Sequence, residues 1–191
     1  LHYDRRRQRQ MCIRDSVTKG ELNISVNVFG YPFKKPILRN GANLGDSIFV
    51  TGQLGKAKQG LNDWLNKKDS IYCKDFLRPK PQFQNAKDIS DFATSCIDIS
   101  DGLIKDLGDI CKQSNVGAEL CYEDIPILND HKDLTHGDDY ELCFTAPSHL
   151  DDQIKSQGFF LIGKIIQKLG LLVKKDGREI TFEKNGWDPF E

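Results

Sequence analysis

The stretch Ser95–Leu103 constrains the fold of this chain more than any other. Apolar residues lead into Asp98, and an apolar-periodic run follows over residues 103–111. This pattern predicts a strand, a tight turn and an amphipathic helix, in that order. Asp98 and Ser100 lie two residues apart and therefore share one face of the strand. Asp101 stands where the residue that caps the helix N-terminus is expected.

The predicted turn brings oxygen atoms to the positive end of a helix. Asp98, Ser100 and Asp101 supply two carboxylates and a hydroxyl. Mg²⁺ prefers oxygen ligands, and a helix N-terminus accepts phosphate groups. The turn can therefore be a metal and nucleotide site. It can equally be an ordinary strand–turn–helix connection in which Asp101 only caps the helix, and the spacing alone does not decide between the two.

Composition places the chain among globular proteins. It has 191 residues, enough to bury a substantial core, and a formal net charge of −1. A charge this close to zero does not favour nucleic acid as a partner, and no apolar run reaches the length of a membrane span. The six cysteines form no C-x-x-C pair and lie mostly in apolar runs. They predict reduced thiols and a cytoplasmic location rather than a zinc site.

The first 16 residues differ in composition from the rest of the chain. Five of the eight arginines lie there, whereas the remainder uses lysine almost throughout. We expect residues 1–16 to be a non-native segment, in which foreign coding sequence is joined to a truncated gene. The alternative is a basic targeting or nucleic-acid-binding arm, which a cluster of arginines also suits.

Strand and helix patterns are mixed along the remainder. A strand predicted at 22–29 is followed by a polar link at 34–36, so the predicted domains are residues 17–33 and 34–191. Further strands are predicted at 46–52, 95–98, 118–122, 140–145 and 159–166. Helices are predicted at 55–66, 86–92, 103–111 and 149–156, with an irregular stretch at 71–83 and a hairpin turn at 176–177. This mixture predicts an α+β fold with mixed α/β layers.

Three residues outside the central turn are candidates for ligand contacts. Arg39 can be a solvated loop residue or a phosphate contact. Glu141 is predicted in mid-strand, where an acidic side chain is unusual enough to indicate a ligand. Trp187 lies in a polar tail and can cap the core or stack on a flat ligand. His131 and His136 are more typical of solvated residues than of a metal pair.

Four stretches together resemble thiamine-monophosphate kinase. This family belongs to the superfamily of aminoimidazole-ribonucleotide synthetase, selenophosphate synthetase and the hydrogenase-maturation dehydratase. The four stretches are Leu38–Asp46, Asp98–Leu103, Gly137–Leu142 and Gly186–Asp188. The resemblance covers about residues 17–191 and implies the C-terminal domain of the aminoimidazole-ribonucleotide synthetase-like fold. A remnant strand of the N-terminal domain would precede it.

The resemblance also implies a reaction. ATP would transfer a phosphoryl group directly to the phosphate of thiamine monophosphate, giving thiamine diphosphate without a covalent enzyme intermediate. Several Mg²⁺ ions would neutralise the phosphates, and no side chain is needed as base or nucleophile. The small-molecule partners implied are ATP and thiamine monophosphate, with neither nucleic acid nor membrane, and the full-length family is a homodimer.

The matched motifs further imply a role for individual residues. A carboxylate suits Mg²⁺, a hydroxyl or guanidinium suits a phosphate, and an indole suits a flat thiamine ring. The implied residues are Asp98, Asp101 and Asp15 for Mg²⁺, Ser100, Arg39 and Asp15 for ATP, and Glu141 and Trp187 for the thiamine substrate.

The chain also departs from the family. The N-terminal half, with its acidic magnesium motifs and most of the dimer-forming domain, is absent, so we expect a fragment that is inactive alone. Ile13 and Arg14 replace two glycines before Asp15, and His136 replaces a family glycine. Two alternatives stay open, namely another ATP-using member of the superfamily and a non-catalytic nucleotide- or thiamine-binding module.

Overall fold

The structure is a computed structural model that describes residues 26, 27, 29–31 and 34–188. The chain divides into two units, residues 1–31 and 32–191, and the larger unit is described here. The predicted segment 1–16, with Asp15, lies outside the described residues, as does most of the strand predicted at 22–29. Both remain predictions.

A mixed sheet forms the centre of the larger unit, and seven strands belong to it within the described residues. In chain order they are β1 (Ser47–Val50), β2 (Ser95–Asp98), β3 (Gly117–Cys121), β4 (Leu142–Ala146), β5 (Phe160–Ile166), β6 (Gly170–Lys175) and β7 (Arg178–Ile180). Across the sheet the order is β2, β4, β1, β5, β3, β6, β7. Neighbouring strands are antiparallel except β3 and β6, which are parallel.

Helices cover both faces of this sheet. Those in the described residues are α1 (Lys56–Leu65), α2 (Cys73–Leu77), α3 (Phe83–Ile89), α4 (Leu103–Ser114) and α5 (Asp151–Ser156). Short 3₁₀ turns occur at Arg39–Gly41, Tyr122–Asp124, His131–Leu134 and Ser148–Leu150. The predicted α+β architecture is therefore confirmed. None of the helices described has the length and apolar character that a membrane span requires.

Alternation of side chains divides the core into two clusters, one on each face. In β1, Ile48 and Val50 belong to the cluster that includes α4, while Phe49 belongs to the opposite cluster. Phe49 stacks there on Phe144 with ring centroids 5.3 Å apart, and Ile89 of α3 closes the same cluster. Because both faces are covered, all four residues of β1 are buried.

The central helix confirms its predicted pattern. Leu103, Ile104, Leu107, Ile110 and Cys111 of α4 are all buried in the first cluster. This face fixes the helix on the sheet, so that its N-terminus stands beside the end of β2. The loop between β2 and α4, residues 99–102, is thus held on both sides by buried elements.

Other helices differ from the prediction. The pattern of the helix predicted at 55–66 places Ala57, Leu61, Trp64 and Leu65 inward. Ala57 is buried as expected, but Trp64 is 51% exposed and Leu65 is exposed as well. Helix α3 begins at Phe83 rather than at residue 86, and α2 lies within the stretch predicted to be irregular. These short helices carry weak periodic signals, which explains the misplaced bounds.

Candidate functional site

The loop that follows β2 is held by a carboxylate from the first turn of α4. Oδ2 of Asp106 accepts hydrogen bonds from the backbone N–H groups of Ser100, Asp101 and Gly102, at 3.0, 3.0 and 3.1 Å. Asp106 is 3% exposed, and burial raises its pKa to about 6 although the three donors lower it. One buried oxygen therefore fixes the backbone of three consecutive residues.

The prediction that Asp101 caps α4 is wrong. Gly102 occupies the cap position with φ 120°, a conformation that favours glycine, and no cap side chain bonds the helix. The Asp101 carboxylate instead forms an ion pair with Lys105, with 2.9 Å between Oδ2 and Nζ. The two side chains are each 30% exposed. The pair leaves Asp101 at the surface of the loop, where a ligand can reach it.

The loop at Gly137–Glu141 lies directly against the loop at 99–102. The N–H of Asp138 donates to the carbonyl of Ser100 at 3.0 Å, and the N–H of Tyr140 donates to the carbonyl of Ile99 at 2.9 Å. A Cβ on Gly137 would lie 2.1 Å from the Ser100 carbonyl oxygen, so only glycine allows this approach. The two predicted motifs are thus brought together by backbone contacts.

Glu141 is not in mid-strand as predicted. Tyr140 has φ 50°, which ends the extended conformation, and β4 begins only at Leu142. The Glu141 carboxylate accepts a 2.6 Å hydrogen bond from the Thr51 hydroxyl, and that hydroxyl in turn accepts from the Leu142 N–H at 2.8 Å. A Cβ on Gly52 would lie 2.4 Å from Glu141 Oε1. Glu141 is therefore a loop residue whose carboxylate lies over glycine backbone.

The C-terminal tail lies against the start of α4. The N–H of Trp187 donates to the carbonyl of Asp101 at 2.9 Å, and Nζ of Lys105 donates to the Trp187 carbonyl at 2.6 Å. The indole of Trp187 is 60% exposed. Trp187 was predicted either to cap the core or to stack on a flat ligand. The exposure of its indole agrees better with a stacking surface.

A cavity of about 680 Å³ lies among these elements. Its walls include Ser100, Asp101, Tyr140 and Trp187. A volume of this size suits a ligand as large as a nucleotide or a thiamine phosphate. The cavity therefore joins three of the predicted site residues, Ser100, Asp101 and Trp187, in one space.

Three other predicted site residues, Asp98, Glu141 and Arg39, lie outside the walls of this cavity. Asp98 is the half-buried last residue of β2, and Glu141 faces Thr51. The carbonyl of Arg39 accepts a hydrogen bond from the Ser114 hydroxyl, at the far end of α4. The carbonyl of the neighbouring residue Leu38 accepts a hydrogen bond from the N–H of Cys96 at 3.2 Å, so this segment lies beside the start of β2. Its predicted contact with ATP stays a prediction.

Negative charge is concentrated around Tyr140. Burial raises the pKa of the Tyr140 hydroxyl, and the nearby charges of Asp138, Asp98 and Asp101 raise it further. In the described part of the chain, no three His, Cys, Asp or Glu side chains form a group that could hold a metal ion. Mg²⁺, however, commonly takes one or two carboxylates and completes its shell with water and phosphate oxygens. Asp98 and Asp101 both lie near enough to Tyr140 for their charges to act on its hydroxyl, and their role as Mg²⁺ ligands stays a prediction.

Sequence reasoning missed two carboxylates that shape the site. The helical pattern places Asp106 on the polar side of α4, and no sequence motif assigns a separate role to Asp139. The Asp139 carboxylate accepts from the N–H groups of Gly55 and Ala57 at 2.7 and 3.1 Å, and so caps α1. Burial raises the pKa of Asp139 to about 6. The sequence does contain a signal for Asp106, because it is an aspartate in the first turn of a helix that begins directly after a glycine.

Known proteins resemble the chain over most of its length. Thiamine-monophosphate kinase of Escherichia coli K12 is 35% identical over 93% of the chain, and that of Haemophilus influenzae is 35% identical over 94%. The chain is homologous to thiamine-monophosphate kinases. It spans 63% of the length of each of these two relatives. No protein-family profile matches the sequence.

Solved structures agree with this homology. Thiamine-monophosphate kinase from Stenotrophomonas maltophilia is 32% identical, with a TM-score of 0.64 over 75% of this chain and 54% of the other. The complex of AaThiL with AMPPCP and TMP is 31% identical, with a TM-score of 0.68 over 79% of this chain and 53% of the other. Hydrogenase maturation protein HypE, at 13% identity and a TM-score of 0.63, shares only the fold. The predicted superfamily fold is therefore confirmed.

Proposed function

We propose that the protein of which this chain is part phosphorylates thiamine monophosphate to thiamine diphosphate, with ATP as the donor. The observation that carries the proposal is the homology to thiamine-monophosphate kinases, one of which has been solved with AMPPCP and TMP. The cavity among Ser100, Asp101 and Trp187 supports it, because its walls combine groups suited to phosphate, cation and flat ring.

In this proposal a phosphate oxygen of thiamine monophosphate attacks the γ-phosphorus of ATP. The new phosphorus–oxygen bond forms as the bond to the β-phosphate oxygen breaks, and ADP leaves. Asp98 and Asp101 would hold Mg²⁺, which when bound neutralises charge on the phosphates. Ser100 would donate to the nucleotide phosphates, and its backbone would be kept in place by Asp106.

The substrate ring would lie on the exposed indole of Trp187, with Glu141 as a further contact. Arg39 would reach ATP from the far end of α4, and Asp15 would add a ligand to Mg²⁺ and ATP. The homodimer, the cytoplasmic location and the absence of nucleic-acid and membrane partners belong to the same proposal. They are expected from the family and from composition.

The test is formation of thiamine diphosphate from ATP and thiamine monophosphate by the whole protein that contains this chain, followed by chromatography. We expect Asp98→Asn and Asp101→Asn to lower kcat/KM roughly 100-fold or more, because several kcal/mol of transition-state stabilisation depend on the metal. Asp109→Asn, one turn further along α4 from Asp106, serves as the matched control and should leave the rate unchanged.

Binding measurements separate the possible outcomes. Equilibrium dialysis with AMPPCP and with thiamine monophosphate is carried out on the same preparations. Retention of both ligands without turnover would indicate a non-catalytic binding module. Failure to bind either ligand, by a chain that unfolds cooperatively in urea, would contradict the proposal.

A further inference from the structure

One lysine on α4 contacts two parts of the candidate site. Nζ of Lys105 lies 2.9 Å from Oδ2 of Asp101 and donates a 2.6 Å hydrogen bond to the carbonyl oxygen of Trp187. An ammonium group has three donors, so the two contacts can be made together. The carboxylates of Asp101, Asp188 and Asp106 all favour the charged form of this lysine.

The contact with Trp187 is the informative one. A lysine four residues after an aspartate on a helix often forms an ion pair with it, so Asp101 alone would make Lys105 an ordinary surface residue. Trp187 lies 82 residues further along the chain, and helix geometry does not account for a contact with its carbonyl. The lysine therefore joins the tail to the loop that precedes α4.

Backbone contacts, rather than burial, hold this part of the tail. The Trp187 N–H donates to the Asp101 carbonyl at 2.9 Å, and a Cβ on Gly186 would lie 2.6 Å from the same oxygen. The same Cβ would lie 2.7 Å from Cβ of Lys105. The indole itself is 60% exposed, so the free energy of burying it contributes little to its placement. Removal of a tail contact is thus expected to release the indole.

We propose that Lys105 is a positioning residue that ties Trp187 to the loop at Ser100–Gly102. Placement of the indole then depends on the loop that carries Asp101. The roles of Trp187 in thiamine binding and of the loop in nucleotide binding rest on the proposed function. The contact through Lys105 is a property of the protein without ligands. A cation on Asp101 would compete with the ammonium for the same carboxylate, so the two subsites would influence each other through Lys105.

The test follows the mobility of the Trp187 indole in the ligand-free chain. The sequence has two tryptophans, and Trp64→Phe leaves Trp187 as the sole tryptophan, whose fluorescence can be excited selectively over that of tyrosine. Phenylalanine preserves the aromatic contact that Trp64 makes with Phe76. Time-resolved fluorescence anisotropy then separates fast local motion of the indole from tumbling of the whole protein.

In this background we compare Lys105→Met with Lys112→Met. Methionine keeps an apolar stem of similar length and removes the charge, and Lys112 lies seven residues along the same helix with an exposed side chain. We expect Lys105→Met to raise the ratio of mobile to fixed indole about five-fold, the effect of losing one partly exposed charged contact. Lys112→Met and the conservative Lys105→Arg should change it little. An unchanged ratio in Lys105→Met would overturn the proposal.

Two further measurements complete the design. Asp101→Asn should raise the mobile fraction of the indole less than Lys105→Met does. The variant that carries both changes should have no larger mobile fraction than Lys105→Met alone. Independent, additive effects of the two changes would contradict a tie through Asp101. Equilibrium dialysis should show about five-fold weaker binding of thiamine monophosphate by Lys105→Met, with Lys112→Met unchanged. If the chain without the Lys105 change binds no thiamine monophosphate, that result counts against the proposed function. The anisotropy measurement then tests by itself whether Lys105 holds Trp187 in place.

Discussion

At the scale of single residues, Asp106 has the largest structural role in the candidate site. We expect Asp106→Ala to lower the free energy of unfolding by roughly 3 kcal/mol, because three N–H groups, one buried and two partly buried, lose the carboxylate oxygen that accepts from them. Asp106→Asn keeps one acceptor oxygen and should cost less. Urea denaturation measures both changes. Asp109→Ala on the same helix is the control, and an equal loss there would show a general helix effect instead.

A second residue-scale prediction concerns pH. Burial raises the pKa of Asp139 to about 6 from its usual 3.8, so the folded state binds this proton more tightly than the unfolded state does. The contribution of Asp139 to stability is therefore greatest below about pH 4 and declines as pH rises to about 6. Urea midpoints at about pH 4.5 and 7 measure it. Asp139→Asn should remove this part of the pH dependence, and an unaltered difference between the two midpoints would refute the assignment.

The residue types identified the important side chains of the site. They were less reliable for the contacts that those side chains make. Asp98, Ser100 and Asp101 were singled out from spacing, and the loop that carries two of them does line the cavity. The capping role failed because Gly102 occupies the cap position, while Asp106 inside the helix accepts hydrogen bonds from the N–H groups of the loop, including that of Asp101. A contact of this kind depends on the fold of the loop, which local propensity does not specify.

At the scale of elements, two helical glycines offer a matched comparison. A Cβ on Gly60 of α1 would lie 2.1 Å from the Tyr72 carbonyl oxygen, so Gly60→Ala should push α1 away from α2 and destabilise the chain by about 1–3 kcal/mol. Gly108 of α4 has open space around the same position. Gly108→Ala should stabilise by about 0.5–1 kcal/mol through helix propensity. Thermal unfolding measures both, and the same sign for the two changes would contradict the packing described.

Elements were predicted well where a periodic pattern was long and buried. The apolar face predicted for α4 matches the structure because the core fixes the side on which each of its residues lies. The prediction for α1 placed Trp64 and Leu65 inward, yet both are exposed while Gly60 and Asp63 are buried. Close backbone approach by α2 buries those small or polar positions, and hydropathy alone gives no sign of it.

At the scale of the whole molecule, ligand binding should be visible as stability. We expect AMPPCP with Mg²⁺, at about 100 times the dissociation constant, to raise the melting temperature by roughly 5 °C or more, since only the folded state binds. Asp98→Asn should abolish most of this rise, and Asp109→Asn should not. A rise of the same size in the Asp98 variant would place the metal elsewhere.

Overall topology was predictable only as a class. A mixture of strands and helices indicated an α+β fold, but strand order depends on pairings between distant segments that periodicity does not contain. The parallel pairing of β3 with β6, for example, joins Gly117 to Gly170 inside an otherwise antiparallel sheet. The four motifs nevertheless led to the correct superfamily, because they report the site rather than the path of the chain.

The position of β1 has a consequence for biosynthesis. This strand pairs on both sides with strands made much later, β4 at residues 142–146 and β5 at residues 160–166. About 110 residues must follow Val50 before both partners exist, which takes roughly 5 to 25 seconds at ordinary rates of translation. Ile48, Phe49 and Val50 are therefore exposed on the nascent chain during that interval. The fully buried strand of the finished sheet is, on the ribosome, an unpaired apolar segment of the kind that is prone to aggregation.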